Sequence, residues 1–97
     1  MKELVIPAAA ARDPQAVEVI RAWIAERGLH CSLNVGMYGE DETRAWGILL
    51  ADAARHVANA LSSSGQCAHH VALDQIRASF TRELDKPTSS ATGSFIG

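Results

Sequence analysis

Gly28-Leu29-His30-Cys31-Ser32-Leu33-Asn34-Val35-Gly36-Met37-Tyr38 is the stretch that decides the fold class. Leu29, Cys31, Leu33, Val35 and Met37 fall on one side of a period-two alternation. His30, Ser32, Asn34, Gly36 and Tyr38 fall on the other, the pattern of a strand with one buried face. On its N-terminal side, Asp13 followed by Pro14 reads as an N-cap and first helical residue. Val17, Ile20 and Ile24, flanked by Trp23, continue at helical spacing, and Gly28 sits where a C-terminal cap belongs. A helix is therefore expected over 14–27. Farther upstream, Leu4-Val5-Ile6 reads as a short strand that Pro7 terminates.

On the C-terminal side, Gly39 to Glu42 forms a turn whose acids favour the positive end of a following helix. In that second helix Trp46, Leu49, Leu50, Ala53, Val57 and Leu61 form one stripe, stopped by Ser62-Ser63-Ser64-Gly65. A third helix carries Leu73, Ile76, Phe80 and Leu84 and ends at Pro87. The Ser-, Thr- and Gly-rich remainder, 88–97, reads as a flexible tail in which Phe95 and Ile96 offer an anchor. The expected architecture is a single α+β domain over 1–87. It has a small sheet of few strands with three helices packed on one face, in the order β-α-β-α-α. Its single core would hold Cys31, Leu33, Val35, Leu49, Leu50, Ala53, Val57, Ile76 and Phe80, so Leu50→Ala should cost roughly 2–5 kcal/mol.

With 97 residues there is room for one core only. A chain of this size buries about 60–65% of its unfolded surface, so added burial through self-association is expected. Only two strand-like segments are visible, and a two-stranded sheet is marginal in water, so a homodimer or higher oligomer is expected. The strand from Leu29 to Tyr38 or the first helix would form the contact, with Val19 and Trp23 as interface candidates because they widen the apolar arc of that helix. Nine Lys and Arg against eleven Asp and Glu give a net charge of −2 with no basic cluster, which argues against a nucleic-acid partner. No stretch approaches the roughly 20 apolar residues of a membrane span, and Met1 to Ile6 is too short an apolar segment for a signal peptide. A cytoplasmic protein with free thiols at Cys31 and Cys67 is expected.

Asp52, Arg55, His56 and Asn59 share one face of the second helix at i, i+3, i+4 and i+7. Together with Tyr38 they are the candidate ligand-binding residues, although the same pattern describes a solvated helix face. Cys67, His69 and His70 lie close in sequence but lack the paired spacing of a zinc site, as do His30 and Cys31. No nucleophile elbow, glycine-rich phosphate loop or activated cysteine is present, so no cofactor, metal or catalytic residue is expected.

Three runs carry a family resemblance: Ile6-Pro7-Ala8-Ala9-Ala10-Ala11-Arg12-Asp13-Pro14, Gly28-Leu29-His30, and Ala45-Trp46-Gly47-Ile48-Leu49-Leu50-Ala51-Asp52-Ala53-Ala54-Arg55-His56-Val57. Together they resemble a family of short uncharacterised bacterial proteins, a domain of unknown function. The resemblance implies no activity, cofactor or site residue. The leading expectation is a non-enzymatic oligomeric interaction or regulatory module, with an unknown protein as a further possible partner. The alternative is a small-ligand-binding domain built on the polar face of the second helix.

Overall fold

The computed structural model describes residues 3–88 and the backbone of 92–96. The class is α+β. Its elements run α1 (Ala8–Arg12), β1 (Ile20–Ala25), β2 (Gly28–Asn34), a 3-10 turn (Gly39–Asp41), α2 (Glu42–Ser63), α3 (His69–Asp85) and β3 (Thr92–Ile96). β2 is the central strand of a three-stranded sheet, antiparallel to β1 and parallel to β3. The sequence order is thus α-β-β-α-α-β rather than the expected β-α-β-α-α.

The main departure lies between Asp13 and Gly28. Asp13 does act as a local acceptor, taking the Gln15 backbone N–H on Oδ1 at 2.9 Å. That turn does not propagate into a helix. Val17, Val19, Ile20, Trp23 and Ile24 are β-branched or aromatic, types that lose side-chain freedom in a helix and pack well on a pleated surface. Ile20, Trp23 and Ile24 enter β1 instead, Val17 and Val19 lie just before it, and the Asn34 N–H donating to the Val19 carbonyl at 3.0 Å extends the ladder at its open end. Ala25 pairs with Gly28, so Glu26 and Arg27 alone make the turn. Both adopt positive φ, 50° and 65°, the geometry of a type I′ hairpin. Gly28, expected as a helix cap, is the first residue of β2.

A left-handed conformation costs a non-glycine residue roughly 1–2 kcal/mol. Replacing Glu26-Arg27 by Asn-Gly should therefore stabilise the protein by about 1 kcal/mol after glycine's greater entropy loss. The expected readout is a melting temperature about 4–8 °C higher. An unchanged or lower value would reject the turn assignment.

Three further corrections concern the ends and the core. Leu4 to Ile6 belong to no strand, and the alanine run after Pro7 forms α1 instead, as the high helix propensity of alanine favours. The expected tail 88–97 lies partly outside the described residues, and within it Thr92–Ile96 joins the sheet as β3. The expected single core is absent. α2 and α3 pack on each other, but among the described residues no residue of the sheet comes within 8 Å, Cα to Cα, of either long helix.

The buried side chains among the described residues are Ala58 and Ala72, one from each helix. Leu50, Val57 and Phe80, placed in the core by sequence, are 41%, 51% and 50% exposed. They lie on apolar helix faces with no layer over them. The helices therefore pack on one another and not on a face of their own sheet. The radius of gyration is 15.1 Å, against about 12.5 Å for a compact chain of this length.

Candidate functional site

The sheet register builds an apolar surface two residues at a time. Ile20 stands opposite Leu33, Ala22 opposite Cys31, and Ile24 opposite Leu29. Directly opposed residues of an antiparallel pair share a face, so all six line one side. The other side carries Arg21 opposite Ser32 and Trp23 opposite His30. The apolar side is open: Ile24 is 82% exposed, with Leu29 and Ile20 also exposed.

A second apolar surface lies between α2 and α3. Leu50 and Ala54 from one helix and Leu73, Ile76 and Phe80 from the other line a groove of about 280 Å³, with Arg55 and Arg77 also contributing. The two surfaces arise from the same cause. Each element is amphipathic, and the layer that would cover its apolar side is not supplied by the described residues.

The connection between β2 and α2 is fastened by Glu42, the first residue of the helix. Its Oε1 accepts the Tyr38 backbone N–H at 2.9 Å and its Oε2 accepts the Trp46 indole N–H at 2.6 Å. Backbone hydrogen bonding from Gly36, then from Tyr38, holds the Glu42 carboxyl below its ordinary value of 4.5. Partial burial opposes this, and the Trp46 hydrogen bond reinforces it. Gly36 itself, two residues past the end of β2, has φ of 98°, a backbone turn that favours glycine.

Because the folded pKa is depressed, the stabilising contribution of Glu42 is fully present above pH 4.5 and is lost as pH falls through the lower folded value. Glu83, lowered by the backbone and side-chain hydrogen bonds of Thr88, acts in the same direction. The test is therefore a difference. Glu42→Gln should melt below the parent protein at pH 7, and the gap should close as pH drops below 4.5. A gap that is independent of pH would refute the carboxylate's role.

The candidate ligand residues do not converge. Arg55 pairs with Asp52 at 2.6 Å, both side chains more than half exposed, and His56 and Asn59 are exposed on α2. Tyr38, 44% exposed, sits on the connection before the 3-10 turn. Arg55 is the one member that also reaches the groove. The interface candidates fall on β1 and just before it: Val19 and Trp23 are half-buried, and Trp23 lies on the side opposite the apolar surface. Sequence reading missed Ile20, Ile24 and Leu29 as a surface and Glu42 as a clasp. The alternation Ile20, Ala22, Ile24 was the available signal for the first.

Cys67 is half-buried just before α3, and His69 and His70 open that helix. Among the described residues no three His, Cys, Asp or Glu side chains form a metal-binding group. No helix among them is long and apolar enough to cross a membrane.

The family model described as "Domain of unknown function (DUF5076)" matches residues 3–88. A solved structure from the photosynthetic bacterium Rhodopseudomonas palustrus CGA009, described as a "putative pyruvate dehydrogenase", is 32% identical with a TM-score of 0.68. The match covers 95% of this chain and 92% of that one. No curated protein matches the sequence.

Proposed function

We propose, from the premise that this chain belongs to the DUF5076 family, a domain of unknown function, that it is a non-enzymatic interaction or regulatory module that works as a homodimer. The observation that carries this reading is exposed area. The chain exposes 8214 Å², where a compact monomer of 10.4 kDa exposes about 5,400 Å². The excess, roughly 2,800 Å² per chain and so about 5,600 Å² for a pair, is as large as the largest obligate homodimer interfaces, which bury about 2,000–5,000 Å² or more in total. Exposed apolar side chains include Ile20, Ile24 and Leu29 on the sheet face, Leu50 and Phe80 at the helix groove, and Leu4, Val5 and Ile6 ahead of α1, where soluble monomers rarely leave contiguous patches.

Edge pairing through β2 does not support the dimer, since β2 has a strand on either side. Face packing does. The net charge of −2 supports a protein partner over nucleic acid, and the structural relative's source supports a bacterial setting. A cytoplasmic location fits the free thiols at Cys31 and Cys67.

Light scattering at micromolar concentration tests the reading. The expected mass is twice 10.4 kDa, and a concentration-independent mass of a single chain would overturn it. The ligand-binding alternative has one supporting observation, Arg55 at the groove. The activity in the relative's name belongs to that protein. A thermal-shift panel that includes pyruvate separates these, because a ligand at 100 times its Kd raises stability by about 2.7 kcal/mol.

A further inference from the structure

We infer that the two copies exchange layers: the apolar sheet face of one copy, Ile20, Ile24, Leu29 and Leu33, covers the α2–α3 groove of the other, reciprocally about a two-fold axis. The inference rests on the homodimer reading and adds which surface meets which.

Three observations lead to it. First, β2 and β3 are parallel and are joined through α2 and α3. Such crossovers ordinarily lay their helices on the sheet, yet here helices and sheet are apart. The missing contact is the one an α+β domain makes within itself, and a second copy supplies that contact with the same side chains.

Second, the surfaces match in size. The sheet backbone, three strands about 4.8 Å apart, is nearly as wide as two helices packed at 8–10 Å, and the described part of its apolar face, on β1 and β2, carries no charged residue among Ile20, Ala22, Ile24, Leu29, Cys31 and Leu33. Third, the connection that would have to swing for a chain to cover its own sheet is tied. Glu42 holds Tyr38 and Trp46 at 2.9 and 2.6 Å, which fixes the last part of the connection, four residues past β2, to the first turn of α2. Sheet-on-sheet or helix-on-helix packing alone would leave one of the two apolar surfaces open in both copies. Reciprocal exchange closes both with one interface.

Cys31 lies on the sheet face and provides the test. One set of chains carries Cys67→Ser and keeps Cys31; a second carries Cys31→Ser, Cys67→Ser and Phe80→Cys. The two are mixed, allowed to exchange subunits, and treated with a short bis-maleimide. The expected result is a cross-linked dimer of one chain of each kind, at least tenfold above the like-with-like products. Leu50→Cys, on the opposite wall of the groove, replaces Phe80→Cys if that variant does not fold.

Predominant linkage between two Cys31 chains, between two F80C chains, or no linkage while light scattering still reports a dimer, overturns the exchange and leaves the dimer standing. A linkage within one chain carrying both Cys31 and Phe80→Cys also overturns it. A single-chain mass by light scattering removes the dimer reading itself.

Discussion

Ile24→Asp is expected to leave the separated chain unchanged and to dissociate the dimer. In a single chain Ile24 is 82% exposed, and a polar substitution at such a position ordinarily changes stability by less than about 0.5 kcal/mol. Under a partner the same side chain is covered. Losing it forfeits about 1.5–3 kcal/mol of apolar burial, twice in a two-fold dimer, and places a carboxylate where nothing pairs it. A combined loss above about 4 kcal/mol weakens dimerisation by roughly a thousandfold or more. Sedimentation equilibrium measures this directly. A dissociation constant within threefold of the parent would mean that the sheet face is not in the interface.

The second large effect is expected at the helix pair. Ala58 is 0% exposed and Ala72 4%, so the separation of α2 and α3 is set by side chains of a single methyl group. Ala58→Leu adds three carbons where the helices meet. Overpacking of this kind typically costs 1–3 kcal/mol, which for a domain of this size lowers the melting temperature by roughly 5–20 °C. Ala60, exposed on the same helix, is the control, and Ala60→Leu should melt within about 2–3 °C of the parent. Equal melting temperatures for the two variants would reject the alanine contact.

The helices were legible because their signals are long and doubly bounded. The stripe from Trp46 to Leu61 repeats over several turns and meets Ser62-Ser63-Ser64-Gly65, and α2 ends at Ser63; Pro87 likewise lies just past the end of α3 at Asp85. β2 was legible from its alternation. β1 was not, because Val17, Ile20 and Ile24 satisfy a helical period while Ile20, Ala22 and Ile24 satisfy a strand period over the same few residues. The Asp13-Pro14 start signal tipped the reading toward a helix, although Asp13 caps only one turn. β3, Thr-Gly-Ser-Phe-Ile, is too short and too poor in β-branched residues to stand out from the tail around it.

The site was less legible than the fold for a different reason. Sequence periodicity reports which side of an element is apolar but not which layer covers it. Leu50 and Phe80 were assigned to the apolar side, yet both remain about half exposed, because the assumption that one chain closes its own core does not hold. Val19 and Trp23 were singled out for surplus apolar area on a helix that does not form. The surplus exists, but it belongs to Ile20, Ile24 and Leu29 on a strand pair.

The parallel pairing of β3 with β2 also fixes an order of events as the chain folds. β1 and β2 meet across two residues, a local closure of microseconds, and α2 finds α3 across a short turn. β3 reaches β2 only after the chain has run through both helices, so its pairing carries the largest loop-closure entropy in the molecule. The last strand is therefore expected to dock on a hairpin and a helix pair that already exist. Until it does, one edge of β2 presents its unpaired amides and carbonyls, and the interval between those events is when the nascent protein is most open to pairing with a wrong strand.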